Sequence, residues 1–306
     1  MVRLPFRQPS PQLGDSKTFA LQRFKTLEQR LSKNPDLRQQ YVEFMQDYLS
    51  TGHMELIPPS TIDTPRNYYI PHHCILRPDS KTTKLRVVFN ASAQTTTGKS
   101  LNESMYTGPK LQPDIRIVLL RARLRKYLFI TDIKQMYRQI LVHPDDRDYQ
   151  RILWRFSPTS KMEEYRLCTV TYGTSAAPFQ ALRTIRELAK IDGARSTRAA
   201  AVLLNDTFVD DVLTGANSVQ EALECQKELI QLCSRAQFEL RKWASNCSEL
   251  LHAVSEDTRA MSPLVLFDAS EEPALKLLGL NWDPASDTFL FKTHLMAKGP
   301  TKRSIL

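Results

Sequence analysis

The stretch "NDTFVDDVLTG" (205–215) sets two adjacent carboxylates, Asp210 and Asp211, inside an apolar run of Phe208, Val209, Val212 and Leu213. Successive side chains on a strand point to opposite faces. One acid of the pair would then face a core, where an unpaired charge costs several kcal/mol or more. The conflict is relieved if the acids sit at the tip of a hairpin over 207–214, because the turn breaks strict alternation. A third acid, Asp132, closes the apolar strand "KYLFITDI" (126–133). Carboxylates converging on one spot would repel, and one would take up a proton. Divalent cations relieve that repulsion; Mg²⁺ prefers hard oxygen ligands and is typically held by one or two carboxylates plus substrate phosphates.

The rest of the chain supplies a scaffold for such a site. The segments 15–33 and 34–52 read as helices. In the first, Ala20, Phe24, Leu27 and Leu31 fall at helical spacing, with Asp15 or Ser16 as cap. In the second, Leu37, Tyr41, Phe44, Tyr48 and Leu49 form a stripe, Asn34 and Pro35 start the helix and Gly52 ends it. Prolines 58, 59, 65, 71 and 78 make 57–78 an extended connector. A strand is expected over 81–92, with Leu85, Val87 and Phe89 on one face and Lys84, Arg86 and Asn90 on the other. Residues 92–104 form a polar loop. After the 126–133 strand come a strand, a glycine and a helix within 168–190, the 207–215 hairpin, a helix over 218–236 opened by the capping pair Ser218 and Glu221, and a strand over 238–243. The order strand, helix, strand, strand, helix, strand is that of the split βαβ, ferredoxin-like arrangement. It is expected to hold two helices on one sheet face and leave the other open to a ligand.

Composition narrows the function classes. The 306 residues are 42% hydrophobic and 25% charged, as in ordinary globular proteins, and the net charge of +9 suits a polyanionic partner. No apolar run approaches the roughly 18 residues needed to cross a bilayer, and the N-terminus has no apolar signal core. Five scattered cysteines without a CxxC pair read as reduced thiols of an intracellular protein. "PHHC" (71–74) lacks a second ligand cluster with zinc-like spacing.

Taken together, the motifs carry a family resemblance. "FVDD" (208–211) resembles the Tyr/Phe-x-Asp-Asp box of reverse transcriptases, and "FITDIKQMYRQI" (129–140) their first palm motif. "TYGTSAAPFQ" (171–180) resembles the next motif, "KLRVVFNAS" (84–92) the fingers strand, and "LLGLNWD" (277–283) the primer grip, all in the family's order. "YRQILVHPDDRDYQRILWR" (137–155), "YRLCTVTYGTSAAP" (165–178), "LRKWASN" (240–246) and the leader over 27–58 resemble the BEL/Pao class of LTR retrotransposon polyproteins.

The resemblance implies an α+β right-hand polymerase: a helical leader (1–56), fingers (57–125), a ferredoxin-like palm (126–250, with a fingers insertion at about 141–168), and a primer-grip region with the start of a thumb (251–306). It implies that Asp132 and Asp210, with Asp211 third, are catalytic and hold two Mg²⁺, Mn²⁺ being an alternative. Lys84 and Arg86 would contact the incoming triphosphate. Tyr137 would be a steric gate against a 2′-hydroxyl, with a plain core aromatic as the alternative, and Tyr172 and Gly173 would line the nucleotide position. Lys242 would be a general acid toward pyrophosphate, with an ordinary strand lysine as the alternative, and Leu278, Gly279 and Trp282 would seat the primer end, with a packed hairpin as the alternative. Expected partners are an RNA or DNA template with primer, and dNTP. The protease, RNase H and integrase of a parent polyprotein are expected but absent from this chain, in which no D-[ST]-G triplet occurs. No membrane association is implied; the expected compartment is a cytoplasmic retrotransposon particle, with the nucleus as the alternative. Asn90 stands where this class usually carries Asp, which implies altered nucleotide handling. The rival expectation is a truncated, inactive nucleic-acid-binding remnant.

Overall fold

The computed structural model describes residues 1–9, 11–59, 66–76, 85–260, 275–277 and 280–290. In chain order the elements are α1 (Lys17–Ser32), α2 (Pro35–Ser50), β1 (Met54–Leu56), β2 (His72–Leu76), β3 (Leu85–Phe89), α3 (Ile115–Arg123), β4 (Tyr127–Ile133), α4 (Pro144–Arg147), β5 (Arg151–Trp154) and β6 (Glu163–Leu167). They continue with α5 (Ala177–Asp192), α6 (Thr197–Asn205), β7 (Thr207–Phe208), β8 (Asp211–Ala216), α7 (Val219–Arg235), β9 (Leu240–Ser245), α8 (Ser248–His252), β10 (Leu275–Leu277), β11 (Leu280–Asp283) and β12 (Thr288–Leu290). They pack into two units, one of Met1–Gln112 with Gln135–Glu187, the other of Pro113–Lys134 with Leu188–Leu306.

In the first unit, α2 begins as the sequence dictates. The Asn34 side chain accepts from the Leu37 amide at 3.0 Å, and Pro35 occupies the first turn, where it costs no hydrogen bond. Its buried stripe is Leu37, Tyr41, Met45 and Tyr48; Phe44 and Leu49 are only half-buried. At α1 the Asp15 carboxylate accepts from the amides of Lys17 and Thr18, whereas the Ser16 hydroxyl accepts from the Tyr69 amide at 2.9 Å. β2 pairs antiparallel with β3, and β3 alternates as expected: Leu85, Val87 and Phe89 are buried while Arg86 is exposed. Residues 81–84 of the expected strand lie outside the described residues. A second antiparallel sheet runs β1-β6-β5. His72 is structural: its Nδ1 accepts from the Tyr41 hydroxyl at 2.5 Å and its Nε2 donates to the Leu153 carbonyl at 2.9 Å. Both ring nitrogens are thereby committed, and burial lowers its pKa to about 4.

The second unit carries an antiparallel sheet in the order β7-β8-β4-β9. Every residue of β4 from Leu128 to Ile133 is buried. This departs from the expectation of an open sheet face. On the face of Leu128, Ile130, Leu213 and Ala244 the sheet is covered by Val118 and Ala122 of α3 and by Trp282 of β11. The near-continuous apolar run of β4 is what a strand packed on both sides requires. At the base of the β7–β8 hairpin the buried Asp206 accepts from Arg121 Nε at 2.7 Å and from the Thr214 hydroxyl at 2.8 Å, while its carbonyl accepts from the Leu213 amide. The α7 cap forms as read, with Ser218 Oγ accepting from the Glu221 amide at 3.3 Å.

Candidate active site

Phe208 pairs with Asp211, so β7 and β8 are joined by the two-residue loop Val209-Asp210. Val209 has a φ of +59°, the left-handed conformation that two-residue hairpins need at their first loop position and that a β-branched residue rarely adopts. The Asp210 carbonyl accepts from the Ile133 amide at 2.8 Å, which pins the tip to the end of β4. On the neighbouring rung Asp132 stands opposite Asp211. Opposed residues share a sheet face, with Cβ atoms about 4.5–5.5 Å apart. The hairpin thus brings together the acids at 132, 210 and 211 although nearly eighty residues separate the strands along the chain.

The electrostatics match that crowding. Burial, then the charges of Asp210 and Asp132, raise the Asp211 pKa to about 6, with Lys242 opposing. Burial also raises Asp210, its own amide opposes, and the Asp132 charge adds to the rise.

Asp132, only 7% exposed, is compensated by two cations of β9. Lys242 Nζ lies 2.5 Å from its Oδ2 and Arg241 Nε 3.3 Å from its Oδ1. A bulge makes this possible. Between the rungs Ile130–Ala244 and Asp132–Arg241, β4 advances two residues and β9 three. Lys242 falls in that extra step with φ +57°. Two successive side chains, Arg241 and Lys242, thereby reach one carboxylate. Arg241 carried no signal in the sequence beyond being basic. Among the described residues no three His, Cys, Asp or Glu side chains converge closely enough to hold a metal ion as they stand. Even so, Asp210 and Asp211 are two half-buried acids outside the ion pair that holds Asp132, and their oxygens are the hard donors a divalent cation takes.

The other expected site residues fall as follows. Arg86 is exposed on β3, and Lys84 lies outside the described residues. Asn90 is exposed, and its Oδ1 accepts from the Ser92 amide at 3.1 Å. Tyr137 is half-buried in the 3-10 turn Met136–Gln139. Tyr172 is half-buried, its ring 5.5 Å from that of Phe89. Gly173 has φ +101°, and a Cβ there would stand 2.1 Å from the Phe89 carbonyl oxygen, so glycine is required. Asn102, which sequence reasoning passed over, fixes this turn: its Nδ2 donates to the Gly173 carbonyl at 3.0 Å and its Oδ1 accepts from the Ser175 amide at 2.7 Å. One polar residue in the polar loop 92–104 gives no sequence signal of that role. Leu278 and Gly279 lie outside the described residues. Trp282 takes the packed-hairpin alternative: it is 1% exposed in the core cluster, its indole N–H donating to Asp287 Oδ1 at 3.0 Å. It holds β11 against the sheet.

Among known proteins, no family model matches the chain and no curated protein matches it. Solved structures do. The chain is similar to the protease–reverse transcriptase of prototype foamy virus (a selenomethionine-labelled CSH mutant), at 15% identity and a TM-score of 0.50, over 68% of this chain and 24% of that one. It is also similar to a foamy viral protease–reverse transcriptase, dRH, in complex with double-stranded DNA, at 13% identity and a TM-score of 0.52, over 90% of this chain and 36% of that one. The chain therefore has a fold of the retroviral reverse transcriptase type, and it spans about a quarter to a third of the length of these structures. No helix among the described residues is long and apolar enough to cross a membrane.

Proposed function

We propose that this chain is the fingers and palm of an RNA-directed DNA polymerase from a BEL/Pao-class LTR retrotransposon polyprotein. One observation carries the reading: Asp132 stands opposite Asp211 at the end of the sheet, with Asp210 at the adjoining hairpin tip. The strand order β7-β8-β4-β9 supports it, being the spatial order of a split βαβ, ferredoxin-like palm.

In this reading a primer 3′-hydroxyl attacks the α-phosphate of a dNTP and pyrophosphate leaves. Asp132, Asp210 and Asp211 are the residues that would hold two Mg²⁺, or Mn²⁺. Such ions lower the pKa of an attacking hydroxyl and stabilise charge on the leaving oxygen. The carboxylates supply fixed negative charge at the hairpin tip. Lys242, released from Asp132, can deliver a proton to pyrophosphate. Arg86 offers a planar fork to phosphate oxygens. Tyr137, Tyr172 and Gly173 shape the sugar and base position.

Primer extension on poly(rA)/oligo(dT) is the direct test. Wild type is expected to incorporate dTTP with Mg²⁺, and Asp210→Asn to lose incorporation; equal activity in both refutes the assigned role. A second reading, a catalytically inactive nucleic-acid-binding remnant, is favoured by the double ion pair that occupies Asp132. Salt-sensitive binding of the primer–template without metal-dependent incorporation would establish it.

A further inference from the structure

The turn that carries Tyr137 is anchored by its neighbour. Arg138 is 7% exposed, and its Nη2 donates to Asp47 Oδ2 at 2.6 Å. Its Nε and Nη2 also donate to His53 Nδ1, at 2.9 and 2.6 Å. The guanidinium lies over the Tyr48 ring, 4.1 Å from its centroid. Burial and the adjacent Arg138 lower the His53 pKa to about 4, so the imidazole is neutral and its Nδ1 is free to accept. Met136 and Arg138 are the buried residues of the turn, and Tyr137 between them is half-buried, as is Gln139.

The same end of α2 reaches the second nucleotide motif. Tyr48 is buried, and its phenol interacts with that of Tyr172. Its ring is 5.9 Å from Phe89, whose carbonyl oxygen is the atom that requires glycine at 173. Asp47, Tyr48 and His53 thus contact, from one place, the elements that set Tyr137, Tyr172 and Gly173. Fold stability alone does not call for an arginine at 138, because a buried guanidinium is stabilising only where its partners offset its desolvation. A planar fork that pairs with two acceptors and stacks on a ring fixes a backbone turn more tightly than an apolar side chain would.

We propose that Arg138, clamped by Asp47, Tyr48 and His53, is a positioning residue that sets the Tyr137 and Tyr172 rings and thereby the choice of deoxynucleotide over ribonucleotide. The proposal rests on the polymerase reading above. It is tested on the full chain by steady-state incorporation of dTTP and of UTP on poly(rA)/oligo(dT), for wild type, Arg138→Met, Arg138→Lys and Tyr48→Phe. Arg138→Met is expected to raise the KM for dTTP about tenfold, leave kcat within about twofold and narrow the dTTP/UTP preference, the pattern of lost substrate positioning. Arg138→Lys, which keeps the charge but not the fork, is expected to recover part of the preference. Tyr48→Phe, which removes one hydroxyl, is expected to raise KM less. An unchanged dTTP/UTP preference in both Arg138→Met and Tyr48→Phe overturns the proposal, as does a fall in kcat alone. Amide hydrogen exchange over residues 136–140 and 172–175 gives a readout independent of turnover. Faster exchange in Arg138→Met supports the clamp, and unchanged exchange overturns it. A wild type that fails to extend the primer refutes the polymerase reading and the nucleotide choice with it, while the exchange data still decide whether the clamp exists.

Discussion

Replacing Asp211 by Asn removes a charge that the folded chain holds at a disadvantage. An ordinary aspartate titrates at 3.8, and Asp211 is raised to about 6 by burial and by the charges of Asp210 and Asp132. A carboxyl whose folded pKa lies above its unfolded value binds its proton more tightly in the folded state. The stability it contributes is full below about pH 4 and is lost as pH rises through about 6. A gap of about 2 pH units corresponds to about 3 kcal/mol, and screening at this partly exposed hairpin reduces it to about 1–2 kcal/mol. Asp211→Asn is therefore expected to stabilise the metal-free chain by about 1–2 kcal/mol at pH 7.5, a rise of about 2–6 °C in Tm. At pH 3.5 the difference should shrink to within about 0.5 kcal/mol, because the folded and the unfolded wild type are then both largely protonated at this position. Urea denaturation at the two pH values measures both differences. Mg²⁺ should reverse the ranking at pH 7.5. A ligand at about 100 times its Kd adds about 2.7 kcal/mol to the form that binds it, and the Asn variant has lost a donor oxygen charge. A variant no more stable than wild type at pH 7.5, or a gain independent of pH, would refute the idea that these acids repel across the β4–β8 ladder.

Two further outcomes follow from the geometry. Gly173→Ala would set a methyl group 2.1 Å from the Phe89 carbonyl oxygen at a φ of +101°, so a loss of about 2–4 kcal/mol in urea denaturation is expected, together with a weakened Asn102 clamp. Arg121→Ala leaves the buried Asp206 with Thr214 as its side-chain partner among the described residues and is expected to cost about 1–3 kcal/mol, against a much smaller loss for Arg116→Ala at its exposed pair with Asp114; a double-mutant cycle of Arg121→Ala with Asp206→Asn should recover part of the loss.

Which parts of this chain could be read without its structure depends on whether the cause is local. Helix starts at Asn34 and Ser218, the alternation of Leu85, Val87 and Phe89, and the strand ending at Asp132 are set by neighbours in sequence, and each stands as read. The acids at 210 and 211 were legible because a charge pair inside an apolar run conflicts with period-two burial. Partner choice across the sheet was not legible. Nothing in "LRKWASN" marks the bulge at Lys242, since a register shift is a relation between two strands and leaves no pattern on either one. Trp282 was legible only as either a primer contact or part of a packed hairpin, because tryptophan suits both a core and a binding surface; its packing on α3 is a tertiary contact that the sequence does not disclose. Asn102, Arg138 and Asp206 act through contacts seventy or more residues away or through a hairpin base, and a polar side chain in sequence does not disclose which distant atom it will meet.

Several departures from local rules meet in one small region. Val209 takes a positive φ that its branched side chain disfavours, Lys242 takes another, and Asp210 and Asp211 are acids raised by their own burial. Left-handed backbone at a non-glycine residue costs about 1–2 kcal/mol each time. Consistent sequences avoid such conflicts except where function demands them. The costs here have a shared geometric result. The Val209 turn puts Asp210 at the hairpin tip, and the Lys242 bulge puts two cations on Asp132. The ladder then holds Asp211 opposite. A sheet built for stability alone would carry glycine at 209, no bulge in β9, and an apolar pair at the 132–211 rung. The chain instead keeps three acids with only two cations, Arg241 and Lys242, paired to one of them, an imbalance of charge that a purely structural sheet end does not need.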